Sequence, residues 1–187
     1  HALDYGRKQR VTAVHADHSL APTEMRGVAA GVATLGAGRD EIAFGWDNEV
    51  ERTEVDVAAF SMSQRPVTNG EWLRFVEQGG PVPHFWSERD GGRLLRLMGE
   101  EIPLPRSWPV YVTHRQATAY AKWARMRLPS EAEYHRAAFG TPAGEERPFP
   151  WGDESPGPRH GNFNFERFAP EPVDAHPEGN SAWGIAD

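Results

Sequence analysis

The sequence predicts an α+β domain, with short helices set among small antiparallel strands and long irregular connections. Three observations carry that prediction. Capping boxes, in which a Thr or Ser is followed three residues later by Glu or Gln, occur at Thr68/Glu71, Thr113/Gln116 and Ser130/Glu133, and each marks a helix start. Apolar residues alternate with polar ones between Glu41 and Phe60, the two-residue period of half-buried strands. The 187 residues include 19 Gly, 16 Pro and 7 Trp, a loop-rich composition unlike that of a helical bundle.

Taken in order, residues 1–38 show no sustained period of 3.6 or 2.0 and read as a linker, or as the end of a preceding helical domain. From Glu41, Ile42, Phe44 and Trp46 point one way, the charged turn Asp47-Asn48-Glu49 follows, and Val55, Val57 and Phe60 recur; the pattern is that of a β-hairpin. A helix opens at Thr68 and runs to about Gln78, with Trp72, Phe75 and Val76 on one face and Gly79-Gly80 as its stop. Residues 81–109 carry Pro83, Trp86, Pro103, Pro105, Trp108 and Pro109, which favour an irregular excursion. The helix capped by Thr113 groups Ala117, Tyr120, Ala121 and Ala124. Pro129 keeps Leu128 extended, and the helix capped by Ser130 is expected to end near Phe139, with Gly140 left-handed. Residues 39–187 are therefore read as one domain.

Composition excludes several function classes. There is no cysteine, hence no disulfide, thiolate metal site or cysteine nucleophile within these residues, as suits a reducing cytoplasm. The net charge of -7 argues against a general nucleic-acid binder, which needs clustered cations to neutralise phosphates. Lys8 and Lys122 are the only lysines among 20 basic side chains, a ratio read as coding bias. No apolar run is long enough to span a bilayer, and no basic-then-apolar leader opens the sequence; the chain reads as soluble and free of membrane. It starts at His1 and stops at Asp187 without a polar tail, and is read as cut at both ends.

Several constellations could carry chemistry. His15 and His18 form an H-x-x-H pair, but without the Glu of H-E-x-x-H and without helical flanks they read as linker residues. His84, His114, His135, His160 and His176 are scattered. Asp47, Glu49, Glu51, Glu54 and Asp56 could supply an acid–base pair, yet charge alternating along a hairpin marks its wet face. Ser130 lies near Glu131 and His135, but a serine engaged as a helix cap is badly placed as a nucleophile. No metal ligand and no catalytic residue is assigned; the catalytic residues stay unknown.

Stability accounts for each capping box, but not for an ordered set of strings. These are Phe44-Gly45-Trp46-Asp47-Asn48-Glu49, Pro66-Val67-Thr68-Asn69-Gly70-Glu71, Trp108-Pro109-Val110-Tyr111-Val112, Arg127 through Ala138, Phe149-Pro150-Trp151-Gly152 and Gly161-Asn162-Phe163. Together they resemble the formylglycine-generating-enzyme/sulfatase-modifying domain over about residues 28–187. Within that superfamily they are most similar to the C-terminal domain of the ergothioneine-type sulfoxide synthases.

The resemblance implies a C-type-lectin-like α+β fold joined to an N-terminal helical bundle of the DinB type. It implies mononuclear non-haem iron(II) held by three histidines of that bundle, upstream of His1. The implied chemistry uses dioxygen to join a thiol to the imidazole carbon of hercynine. Relatives act on histidine in ovothiol formation, or use a selenium donor to make selenoneine. The family's later G-N-x-W-E-W segment and pocket tyrosines would follow Asp187, so no catalytic residue carries over. Tyr134-His135 stands where the formylglycine branch has Trp-Glu, which favours the sulfoxide-synthase side. Pro81 stands where relatives often have Tyr. Asn162 resembles an Asn beside a calcium site in the formylglycine branch, without the acidic insertion that would complete it. Two other functions fit such a scaffold: a non-catalytic lectin-like binding module, and a cysteine-oxidising formylglycine-generating enzyme.

Overall fold

A computed structural model describes residues 20–40, 45–46, 49–163 and 169–186. The chain divides into two units, each assembled from separated stretches of sequence: residues 1–22, 66–128 and 161–175 in the first, and 23–65, 129–160 and 176–187 in the second.

The second unit is built on an antiparallel ribbon. Strand β1 (Met25–Val28) pairs with β4 (Phe60–Ser63), and β2 (Gly31–Leu35) pairs with β3 (Thr53–Val57). The pairs Val28↔Phe60 and Gly31↔Val57 keep the same offset. The four strands are thus one ribbon broken at Ala29-Ala30 and Ala58-Ala59. This corrects the expected linker over residues 23–38: Gly27, Gly31 and the run of alanines conceal a strand that has few side chains to alternate. It also corrects the expected hairpin. Val55 and Phe60 do lie on strands, but their partners are Ala33 and Val28. Ile42, Phe44, Asp47 and Asn48 lie outside the described residues.

Helix α3 (Glu131–Ala138) packs on β2 and β3, and Ala137 joins Val28 and Ile185 in a small core flanked by Phe60, Met62 and Trp183. Its start is the expected one: the Ser130 hydroxyl accepts from Glu133 N–H, and the Glu133 carboxylate accepts from Ser130 N–H at 2.8 Å. Its end differs. Gly140 is not among the glycines with positive φ; it is needed because a Cβ there would lie 2.5 Å from Arg136 Nη1 and 2.6 Å from the Arg136 carbonyl oxygen.

In the first unit, α1 (Asn69–Glu77) and α2 (His114–Trp123) carry the two other capping boxes, both complete. Between them, β5 (Trp86–Arg89), β6 (Gly92–Arg96) and β7 (Glu101–Pro103) form a meander in place of the expected irregular excursion. The hairpin turns at Asp90-Gly91, with φ of 52° and 76°. Positive φ at both central residues is what a tight two-residue hairpin requires, and Asp-Gly supplies it. The prolines sit at the margins of the meander, where no ladder donor is needed.

Trp72, Phe75, Trp86, Leu95, Ile102, Leu104, Trp108 and Tyr120 form this unit's core. Trp72 stacks on Tyr120 at 5.0 Å, and Phe75 meets both edge-on at 5.4 and 5.6 Å. Such pairs contribute about 0.5–1.5 kcal/mol each beyond the area they bury. Asn69 is 1 % exposed and bonded at both ends of its side-chain amide: Nδ2 donates to the Pro105 carbonyl at 2.8 Å, and Oδ1 accepts from Trp86 Nε1 at 3.3 Å. One residue of α1 therefore holds both the entry to β5 and the segment after β7.

Candidate functional site

In the second unit, titratable groups gather around the Pro-Trp-Gly string. Phe149 and Gly152 exchange backbone hydrogen bonds of 3.2 and 3.0 Å, closing a tight loop that leaves the Trp151 ring between neighbours. Phe149 stacks parallel to it at 5.3 Å and His160 at 4.4 Å. Trp151 Nε1 donates to the Glu154 carbonyl at 2.8 Å. Arg159 pairs with Glu154 and lies 3.8 Å from the Glu178 carboxylate. Its guanidinium is held even further above its ordinary pKa, first by the hydrogen bond to Glu154 and then by that carboxylate's charge.

Chemically, this cluster is a fastening. The His160 side chain is 4 % exposed; Nε2 accepts from Arg159 Nε at 3.2 Å, and Nδ1 is enclosed. No lone pair of that ring faces outward, as a base acting on a substrate would require. The close approach continues to the 3-10 turn Pro177–Gly179, where a Cβ on Gly179 would lie 2.0 Å from the His160 carbonyl oxygen.

Several exposed aromatic and imidazole groups of the first unit lie beside β5 and the start of α2. Phe85 is 46 % exposed and Tyr111 56 %, and His84 packs edge-on against Phe85 at 5.1 Å. Gln116 Nε2 donates to the Val82 carbonyl at 3.4 Å, tying that loop to the first turn of α2. Pro81 has a structural use, its carbonyl accepting from Trp72 Nε1 at 3.0 Å. Tyr120 lies on the inner side of α2, and burial is the first cause that raises its phenol pKa above 10.0, with the Glu71 carboxylate adding to the shift.

The remaining sequence candidates do not converge. His15 and His18 lie outside the described residues. Glu51, Glu54 and Asp56 are exposed, Glu54 lying 3.8 Å from Arg52, and Glu49 accepts from Trp46 N–H at 2.8 Å. Alternation of exposed Glu54 and Asp56 with Val55 and buried Val57 is that of a wet strand face. Ser130 serves as a cap, while His135 packs on Tyr134 and Phe139. Asn162 donates to the Ala169 carbonyl at 3.1 Å. Among the described residues no three His, Asp or Glu side chains are grouped to hold a metal ion, so these residues do not fit an iron centre.

Sequence reasoning left Arg136 and Trp183 unremarked. Arg136 is 2 % exposed on α3, and its guanidinium reaches the ribbon break. Nε donates to the Ala29 carbonyl at 3.3 Å, and Nη2 to those of Ala30 and Thr141 at 3.4 and 3.3 Å. Its Cζ lies 5.4 Å from the centre of a Trp183 ring. The legible trace of this is the pair of glycines beside it: a Cβ on Gly31 would lie 2.6 Å from the guanidinium carbon.

Capped helices, small antiparallel sheets and long connections define an α+β protein of the formylglycine-generating-enzyme-like, C-type-lectin-like class. The chain belongs to the sulfatase-modifying factor enzyme 1-like domain family, whose model matches residues 11–187. It is 38% identical over 160 residues to a hercynine oxygenase of Mycobacterium tuberculosis, covering 74% of this chain and 37% of that protein. It is 41% identical over 186 residues to a formylglycine-generating enzyme of Streptomyces coelicolor, covering 75% of this chain and 59% of that protein. The structure matches that of PvdO from Pseudomonas aeruginosa with a TM-score of 0.63 and 27% identity, covering 87% of this chain and 66% of that one. The chain thus spans under two fifths of the mycobacterial hercynine oxygenase. No described helix is long and apolar enough to cross a membrane.

Proposed function

We propose that this chain is the scaffold part of an ergothioneine-type enzyme, a cytoplasmic oxygenase that joins a thiol or selenium donor to the imidazole carbon of hercynine or histidine. The observation carrying this reading is the 38% identity to a hercynine oxygenase across 74% of the chain. The Tyr134-His135 pair in the α3 string supports it. Iron(II) and dioxygen would supply the oxidation, with the metal held by histidines of an N-terminal DinB-like helical domain rather than by residues described here. The contribution of these residues is architectural. The three capped helices, the Asn69 crosslink and the Arg159 fastening hold loops in fixed positions, and fixed loops are what orient two substrates for reaction.

The test uses the full-length protein loaded anaerobically with iron(II), then given oxygen, hercynine or histidine, and a thiol or selenosugar donor. Mass spectrometry is expected to find a coupled product, and no product with any pair of substrates would overturn the reading. The 41% identity to a formylglycine-generating enzyme favours a second reading, oxidation of a peptide cysteine. Conversion of a cysteine peptide to the aldehyde, without coupling, would select it. Binding without either reaction would leave the non-catalytic module.

A further inference from the structure

Three oxidisable rings stand in file in the first unit, from its core to its surface. Trp72 on α1 is 1 % exposed, Tyr120 on α2 is 9 % exposed and Trp123, at the end of α2, is 38 % exposed. Trp72 stacks on Tyr120 with ring centroids 5.0 Å apart and an interplanar angle of 13°, and Tyr120 lies 5.4 Å from Trp123. Side chains three apart on a helix are neighbours, so α2 sets its phenol against the buried indole and its own indole at the surface. Phe75 packs beside this file, 5.6 Å from Tyr120 and 5.2 Å from Trp123. Burial suits Phe at such places as well as Trp and Tyr; indole and phenol differ from it in giving up one electron readily. The Trp72 Nε1 proton is held by the Pro81 carbonyl at 3.0 Å. A carbonyl oxygen is too weak a base to take that proton, so an oxidised Trp72 stays a radical cation, the form that oxidises a phenol.

We propose that Trp72, Tyr120 and Trp123 form a single-electron path between core and surface, on which an oxidising equivalent comes to rest at Tyr120 and is removed through Trp123 by a small soluble donor such as ascorbate or a thiolate. A small oxidising radical takes one electron from either indole and is itself reduced. Tyr120 passes one electron to that indole and releases its phenolic proton to solvent, leaving a neutral phenoxyl. The Glu71 carboxylate acts on this phenol more strongly than the Arg74 guanidinium does, and a negative charge beside the ring favours the electron's departure. The soluble donor then loses one electron at Trp123, Trp123 relays it to Tyr120, and a proton from solvent restores the phenol. Radical and donor have exchanged one electron, and the protein ends unchanged. Enclosure keeps Trp72 out of contact with a soluble donor, so the exposed ring of Trp123 is the end at which the path can be refilled. The inference is independent of which reaction the protein catalyses.

The experiment oxidises the full-length protein with azide radicals from pulse radiolysis, which attack indole in preference to phenol, and follows the radicals by absorption. Expected is a phase in which the indolyl signal decays while the phenoxyl signal grows, at a rate independent of protein concentration. Tyr120→Phe and Trp123→Phe are each expected to abolish that phase, and Tyr111→Phe and Tyr134→Phe to leave it intact. Ascorbate is expected to shorten the phenoxyl lifetime in proportion to its concentration. In air with ascorbate, peptide mass spectrometry is expected to find more oxygenated Trp72 in Tyr120→Phe than in wild type, because the buried indole has lost its outlet. A phase that survives Tyr120→Phe or Trp123→Phe, or a phenoxyl indifferent to ascorbate, would overturn the proposal. Equal oxygenation of Trp72 in both proteins would overturn it as well. Tyr120→Phe removes one oxygen atom and keeps the ring, so it decides the matter even where Trp123→Phe fails to fold.

Discussion

Arg125→Gly is expected to stabilise the protein, and the reason lies in two helix ends built alike. At the end of α1, Gly79 takes φ 90°, with Gly79 N–H donating to the Val76 carbonyl and Gly80 N–H to the Phe75 carbonyl at 3.0 and 2.9 Å. At the end of α2, Arg125 N–H donates to the Lys122 carbonyl and Met126 N–H to the Ala121 carbonyl at 3.1 and 2.7 Å, so Arg125 occupies the position of Gly79. Its φ is 58°, where an L-residue with a Cβ is strained by about 1–2 kcal/mol. Glycine relieves that strain, while its freedom in the unfolded chain takes back about 0.4–1 kcal/mol. The exposed Arg125 side chain makes no hydrogen bond or ion pair with a described residue, so nothing else is lost. The balance is a gain of about 0.5–1 kcal/mol, which for a protein of this size raises Tm by about 1–4 °C. Thermal unfolding would be compared with that of Arg125→Ala, which keeps the strain and is expected to match wild type. A glycine variant no more stable than the alanine variant would refute the argument.

Gly179→Ala is expected to lower stability by about 2–3 kcal/mol as an overpacked contact, because its Cβ would meet the His160 carbonyl oxygen at 2.0 Å; an unchanged urea midpoint would count against it. Asn69→Leu leaves the Trp86 indole N–H and the Pro105 carbonyl unmet, a loss of about 2–4 kcal/mol by denaturant unfolding; a wild-type midpoint would contradict this. The Tyr120 phenol, with its pKa raised in the folded state, favours folding at pH values below the unfolded tyrosine pKa of about 10. Above that value the unfolded chain gives up this proton first, so stability falls with rising pH until the folded phenol also ionises. Tyr120→Phe is expected to weaken that alkaline slope, and an identical slope would show that Tyr120 does not cause it.

The sequence made helices far more legible than strands. A capping box is a local pattern, complete within four residues, and all three opened helices where Thr68, Thr113 and Ser130 stand. Pairing is non-local. Val55 and Phe60 were legible as strand residues, but their partners lie across the chain among glycines and alanines with no alternation to read. The Asp90-Gly91 turn was readable as a hairpin signal and was obscured by the prolines around it. Of the sites, the sequence rightly kept Ser130 as a cap, and the exposed Glu54 and Asp56 behave as a wet strand face. It missed Arg136, because an arginine between His135 and Ala137 looks like any solvated helix position. Only the two glycines that make room for its guanidinium could have revealed it.

Interleaving of the two units sets an order on their assembly. The first takes residues 161–175 as well as 66–128, and the second takes residues 176–187 as well as 23–65 and 129–160. A chain emerging from the ribosome therefore holds helices α1 and α2 and the ribbon long before either unit is complete, and both must wait for the last stretches. Contacts this distant in sequence favour slow folding. Neither unit is one continuous stretch of chain, so no single cut divides the chain into one fragment for each.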